Sequence, residues 1–341
     1  MADRIRLKDK SDTKSKGNYF TSKKKNYKFV SSGCTLLDCS IGGGYPLGRM
    51  VNIIGDKSTA KTALATEALI NFKIKYPQGK AKYEDAEGAF DEEYAAEMGL
   101  PIDEIDLGDE NPLDTVEQFF DNLKEFITLC KKENVPGIYI IDSLDALSDE
   151  AEMGRDIKDG SYNMSKQKQI GILFRKLVRK VEKSKVLLII ISQVRENIGV
   201  TFGEKLRRSG GKAMDFYASQ CIWLAHTGQL KRTVKKVERV YGVSIKSKCK
   251  KNKIGFPFRE AEFNFIFGFG VDDIGASVNF LKKADRLNEI GVKVKDPKNY
   301  LAEIENMSDK AYRKERKKLS KAVIKVWNEI ETNFLPKRKK Y

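Results

Sequence analysis

The chain has 341 residues, 40% hydrophobic and 33% charged, enough for one large core with a smaller appended region. Lys and Arg outnumber Asp and Glu by 64 to 48, a net charge of +16 that favours polyanionic partners through long-range attraction and counterion release. Five cysteines (Cys34, Cys39, Cys130, Cys221, Cys249) without C-x-x-C spacing, beside the single His226, argue against a disulfide scaffold or a Cys/His metal centre.

In chain order, residues 1–30 are polar and lysine-rich and read as a basic N-terminal arm, an oligomerisation segment in waiting. "MADRIRLKDK" offers no apolar signal region, and the longest aliphatic run, "VLLIII" at 186–191, falls far short of the about 20 residues that cross a bilayer. A cytoplasmic protein, in a bacterial cell or an infected host, with no membrane partner, is the expectation. From 31 to 270, short apolar runs alternate with amphipathic patterns, which predicts an α/β fold: a mostly parallel twisted sheet flanked by helices. "MVNII" (50–54), "GIYII" (137–141) and "VLLIII" (186–191) read as buried strands. Residues 114–131 and 165–183 keep apolar residues at helical spacing, the first with a capping box of Thr115 and Gln118. Residues 271–341 form a small basic C-terminal region, with Leu319, Val323, Trp327, Ile330 and Phe334 at helical spacing.

The strand "MVNII" runs directly into "GDKSTAKT" (55–62), which matches the phosphate loop G-x-x-x-x-G-K-[ST] except at Ala60. The chemistry requires a buried strand, a turn of small residues whose N–H groups wrap phosphates, and a helix N-terminus behind it. Gly55, Asp56, Lys57, Ser58, Thr59, Ala60, Lys61, Thr62 and the adjoining Ala63 are therefore the candidate nucleotide-binding stretch. Lys61 would reach the terminal phosphates of ATP, and the Thr62 hydroxyl would ligate Mg²⁺. Ala60 either sits right-handed at the helix entrance at little cost, or sits at positive φ with a strain of about 1–2 kcal/mol.

Two acids strengthen the reading. Asp142 ends the strand "GIYIID", where a carboxylate would hold Mg²⁺ directly or through water. Glu87, in "KYEDAEG", lies just beyond another short strand and would activate a water against the γ-phosphate. Either acid alone is equally read as a solvated loop carboxylate; strand-borne and in this order with the loop, they are not.

Over about residues 30–285 the chain resembles the RecA-type recombinases of bacteria and phages. The stretches that carry the resemblance are "SSGCTLLDCSIGGGYPLGRMVNIIG", "YEDAEGAFDEEYAAEMG", "IIISQVRENIGVTFGEKLRRSGGKAMDFYAS" and "KKNKIGFPFREAEF". The resemblance implies a RecA-like ATPase core with ATP and Mg²⁺ as ligands and Glu87 as the catalytic carboxylate. Asp91 and Tyr94 would meet adenine, and Gln193 would sense the γ-phosphate. Lys251 and Lys253 would reach the ATP of a neighbouring protomer, against the plainer reading of a solvated basic edge. It also implies two DNA-binding loops. The first is 153–163, followed by Lys168 and Arg175; the second is 195–211, with Gly199, Gly203, Gly210, Gly211 and the charges of Arg195, Arg207 and Arg208. Val200 and Phe202 in the second loop would lean on bases without a sequence code.

The function so implied is a DNA-dependent ATPase that forms filaments on single-stranded DNA and catalyses pairing and strand exchange with duplex DNA in recombination and repair. A single-strand-binding or loader protein would be its accessory. The alternative is an ATP-binding, DNA-coating structural protein with little turnover because of Ala60; a ring-shaped helicase or signalling ATPase would lack the glycine-rich loop. The chain departs from the bacterial pattern in ending "PKRKKY" where those members carry an acidic tail, which points to a phage origin and an unbraked duplex affinity. Deleting 336–341 tests that: unchanged duplex affinity and salt slope count against a DNA role for the tail.

Overall fold

The computed structural model describes residues 27–108, 112–150, 163–196, 206–208, 213–292 and 297–338. A large sheet organises them, its strands in the order β11-β10-β9-β8-β3-β6-β5-β4. Strands β3 (Met50–Gly55), β4 (Lys80–Asp85), β5 (Gly137–Asp142), β6 (Val186–Glu196) and β8 (Gln220–Val234) pair in parallel. Strands β9 (Val237–Asn252), β10 (Glu260–Ile266) and β11 (Gly270–Val271) extend it antiparallel. The short β7 (Leu206–Arg208) folds back on the end of β6, and β1 (Phe29–Val30) pairs with β2 (Tyr45–Pro46) as a separate ribbon. The mostly parallel sheet flanked by helices is the predicted α/β class.

Parallel strands buried on both faces must be apolar throughout, and β-branched residues pack best on that pleat. Their period of two then divides the core. Val51, Ile53, Ile138, Ile140, Leu187 and Ile189 face one layer. Met50, Ile54, Tyr139, Ile141, Leu188 and Ile190 face the other. The second layer holds α4 (Val116–Lys132) and α5 (Asn163–Glu182). Thr115 caps α4 and Gln118 returns the bond, the capping box read in the sequence.

The first layer holds α1 (Thr35–Ile41), α2 (Lys61–Lys75), α7 (Asp273–Lys283) and the 25-residue α9 (Asp309–Asn333). Helix α9 buries Leu319, Ala322, Val323 and Val326 in it. A polar knot ties this layer together. Thr35 donates its backbone N–H to Asp273 at 2.6 Å, and Arg316 donates to Asp273 and to the Gly33 carbonyl, each at 3.0 Å. All five cysteines are free thiols, and among the described residues no helix is long and apolar enough to cross a membrane.

Candidate functional site

The parallel strands deliver their C-terminal ends to one edge of the sheet, the position where open α/β sheets bind ligands. Gly55 at the end of β3 lies between Gln193 on β6 and Leu224 on β8, while Asp142 ends β5 beside Asp85 of β4. The loop Gly55–Thr62 turns sharply here. Ser58 has φ 56° and Ala60 has φ 60°, both left-handed. The right-handed option for Ala60 is thus excluded, and a methyl group at this φ costs about 1–2 kcal/mol. Ala60 is also the N-cap of α2 and supplies no side-chain acceptor, so the helix's first amides are left for an outside acceptor.

Around the loop the candidate side chains converge. Thr62 donates its hydroxyl to Asp142 Oδ2 at 2.6 Å. Burial pushes the Asp142 carboxyl above the usual range, opposed by its bonds from Thr62 and Tyr83. Lys61 folds onto its own loop, its Nζ 2.8 Å from the Asp56 carbonyl, with its pKa lowered by burial against the pull of Asp142 and Glu87. Position 63 is an alanine, so the hydroxyl at the entrance of α2 is that of Thr62. Asp85 accepts from the backbone amides of Glu87 (3.1 Å) and Phe90 (2.6 Å), shaping the turn that presents Glu87. Glu87 Oε1 then accepts from Ser143 Oγ at 2.5 Å and Gln193 Nε2 at 2.8 Å. The Gln193 backbone N–H is held by Asp145 at 2.7 Å.

A cleft of about 420 Å³ opens above Ser58–Ala63, walled by Phe90, Asp91, Tyr94, Val243, Phe265 and Phe267. Asp91 caps α3 (Glu92–Glu97) through the Tyr94 amide, and the Tyr94 hydroxyl accepts from the Gly268 amide at 3.1 Å. Phe90, Val243, Phe265 and Phe267 escape sequence reading, although the alternating aromatics of "FNFIFGF" hold the signal. A second hollow of about 510 Å³ is lined by Asp114, Glu117, Asp121, Glu125 and Glu150, whose charges repel phosphate.

Lys251 and Lys253 stand elsewhere. Lys251 pairs with Cys221 and Cys221 with Asn52, three residues before the Gly55 end of β3. Lys251 Nζ donates to the carbonyls of Asp215 and Phe216, the latter at 2.8 Å, and Lys253 Nζ reaches Phe216 O at 3.3 Å. Burial, then the nearby Lys253, lowers the Lys251 pKa.

The first DNA loop (153–163) falls outside the described residues except at its end, and so does most of the second. What is described of the second is 195–196, which close β6, and β7, which returns antiparallel with Arg195 opposite Arg207 and ends at Arg208 opposite Val194. Lys168 is exposed on α5, and Arg175 Nε approaches the Tyr217 hydroxyl at 3.5 Å. Arg208 corrects the sequence reading. It is only 4% exposed and donates Nη1 to Asn52 Oδ1 (2.9 Å) and Asp215 Oδ1 (3.0 Å), so it anchors the loop's root instead of offering charge to a phosphate.

Thr62 and Asp142 form a hard-oxygen pair that suits Mg²⁺, which is usually bound by one or two protein oxygens together with substrate phosphates. Among the described residues no cluster of three or more His, Cys, Asp or Glu forms an all-protein cage.

A family model described as the RecA N-terminal domain matches residues 10–272. The chain is 32% identical over 262 residues to Protein RecA of Trichodesmium erythraeum, covering 77% of this chain and 69% of that one. It is 34% identical over 254 residues to Protein RecA of Nostoc punctiforme, covering 74% and 67%. With Protein RecA of Rippkaea orientalis it shares 33% over 262 residues, covering 77% and 71%.

Proposed function

Because the chain belongs to the RecA family, we propose that it is a DNA-dependent ATPase that polymerises on single-stranded DNA and drives strand exchange. Membership carries the coarse function, recombination and repair with ATP and DNA binding. The finer reading rests on one observation above others: Glu87, Gln193, Thr62 and Asp142 are bonded in pairs at the strand ends around one loop.

In this reading Gly55–Thr62 cradles the phosphates of ATP on its backbone amides and on Lys61. Mg²⁺, held by Thr62 and Asp142, would neutralise charge on the terminal phosphates. The base stacks in the aromatic cleft against Tyr94. Glu87 is the general base. Its Oε1 is occupied by Ser143 and Gln193, while Oε2, without a protein partner among the described residues, orients the water. A γ-phosphate that draws the Gln193 amide away from Glu87 would move the end of β6, and with it the root of the second loop. The nucleotide is read there as one of two states of a single element.

Lys251 and Lys253 act on the nucleotide of the next protomer. Their strand position lies about 10 Å back from Gly55 along β3 and two strands, about another 10 Å, aside. A lysine side chain does not span that, and both amines point at the helix Ala213–Tyr217 instead. The region 31–270 thus holds the chemistry, and the basic 271–341 region buttresses it and adds duplex contact.

Strand exchange with ATP, set against a slowly hydrolysed analogue, tests the function: product with both, and turnover only with ATP and single-stranded DNA, is expected. The left-handed Ala60 favours the second reading, a coating protein with little turnover. DNA binding without DNA-stimulated hydrolysis would establish that one instead.

A further inference from the structure

The Asp142 carboxylate has a second partner that the proposed mechanism leaves unused. Tyr83, on β4 and 1% exposed, donates its hydroxyl to Asp142 Oδ2 at 2.8 Å, the same oxygen that accepts from Thr62 at 2.6 Å. Its ring lies against Phe90, centroids 4.3 Å apart, and Phe90 walls the aromatic cleft. Packing alone would be met equally by phenylalanine, whereas a buried phenol is tolerated only with a partner for its proton.

One carboxylate oxygen accepts two hydrogen bonds through its two lone pairs, so Thr62 and Tyr83 together fill Oδ2. That has two consequences. The carboxylate is held by two bonds on one oxygen and does not swivel, which leaves Oδ1, without a bond from the described residues, as the oxygen that would be offered to a cation. The Thr62 proton is committed to Asp142, which would leave lone pairs of the Thr62 oxygen for the same cation. We propose that Tyr83 is a positioning residue for the Mg²⁺-bound nucleotide: its hydroxyl fixes Asp142 so that Asp142 and Thr62 present oxygen to one cation. The role assigned to Tyr83 runs through Asp142, with no contact of its own to cation or nucleotide. The proposal rests on the nucleotide-site reading above and adds an outer partner to it.

The test is Tyr83→Phe in the full chain, with binding of a fluorescent, non-hydrolysable ATP analogue titrated against Mg²⁺ and repeated in EDTA. Loss of an outer-shell partner of a metal ligand costs about 10–100-fold in metal affinity. The Mg²⁺ needed for half-maximal binding should therefore rise roughly tenfold, with binding in EDTA unchanged. In an Asp142→Asn background the same substitution should add nothing. An unaltered Mg²⁺ midpoint, or an equal loss in EDTA, overturns the role of Tyr83 while leaving the site reading standing. An unsubstituted protein whose analogue binding ignores Mg²⁺ overturns both. Should Tyr83→Phe fold poorly, tyrosine-ring NMR of the unsubstituted protein decides. The Tyr83 signal should move when Mg²⁺ joins the bound analogue, and a signal that stays fixed overturns the proposal.

Discussion

The two ends of the parallel sheet present opposite kinds of chemistry. At the C-terminal strand ends, Lys61, Thr62, Glu87, Asp142 and Gln193 bond to one another or to their own loop, and a cleft lined by the chain's own residues opens above them. At the level of Asn52, Lys251 and Lys253 have only backbone carbonyls for partners, with no carboxylate in an ion pair with either among the described residues. Lys251 is half-buried and Lys253 exposed, two cations side by side whose amines meet carbonyls alone among the described residues. In the proposed function one end takes the nucleotide and the other acts on a neighbouring copy. The filament proposed for this protein would join the two ends, copy to copy, in a heterologous contact that does not close.

Four experiments break or sharpen that contrast. Glu87→Gln strikes the cleft end hardest: single-turnover hydrolysis should fall by roughly 10²–10⁴-fold, with analogue binding held within a few-fold. Hydrolysis at the unsubstituted rate would remove Glu87 as base. Replacing both Lys251 and Lys253 by alanine should lower DNA-stimulated hydrolysis by about 10²-fold and leave nucleotide binding to the isolated chain alone. Mixing that variant with Glu87→Gln separates the ends directly. Each lacks what the other supplies, so mixed assemblies should regain part of the rate, and a mixture as inactive as its components would place the lysines in cis or outside the chemistry.

The third experiment uses Asp38 as a reporter away from both ends. Burial pushes its carboxyl up to about 6, opposed by the bonds of Ser31 and Ser32, while nearby Asp273 adds to the rise. Because the folded pKa exceeds the ordinary value of 3.8, the folded state binds this proton more tightly between 3.8 and about 6. Asp38 therefore contributes stability on the acid side that is lost as pH rises through about 6. Thermal unfolding of Asp38→Asn should lack that pH-dependent component, worth a few degrees in midpoint. Curves that change with pH in the same way for both proteins would refute it. Smallest is Ala60→Gly. It relieves a left-handed alanine but loosens the unfolded chain, so a net gain of about 1 kcal/mol or less and a modest change in nucleotide affinity are expected, with DNA dependence intact. Hydrolysis arising only in the glycine variant would show that the natural loop does not turn over.

Much of the cleft end was legible in the sequence because its signals are local. Buried parallel strands read as unbroken apolar runs, and the loop, the acids and the capping box each lie within a few residues of such a run. The hairpin of β8 and β9 was hidden, because its outer half is exposed and charged on both strands and its alternation, as in "VSIKSKCK", looks like a lysine-rich surface. Two further features depend on distant partners. The sign of φ at Ala60 is set by how α2 meets the sheet, and Arg208 turns inward only because Asn52, 156 residues earlier in the chain, offers it an oxygen. Tyr83 carried no motif at all; its hydroxyl has meaning only beside Asp142.

The central place of β3 has a consequence for how the molecule is made. Its neighbours are β6 and β8, so the strand leading into the loop is flanked on both sides only when Leu224 has been synthesised. At translation speeds of about 5–20 residues per second, Met50–Ile54 leaves the ribosome roughly 10–30 s before its last partner strand. Until β6 is made both edges of this apolar segment are open, and until β8 is made one of them still is. The first sequence signal of the site thus waits for a strand made about 170 residues later before both its edges are covered.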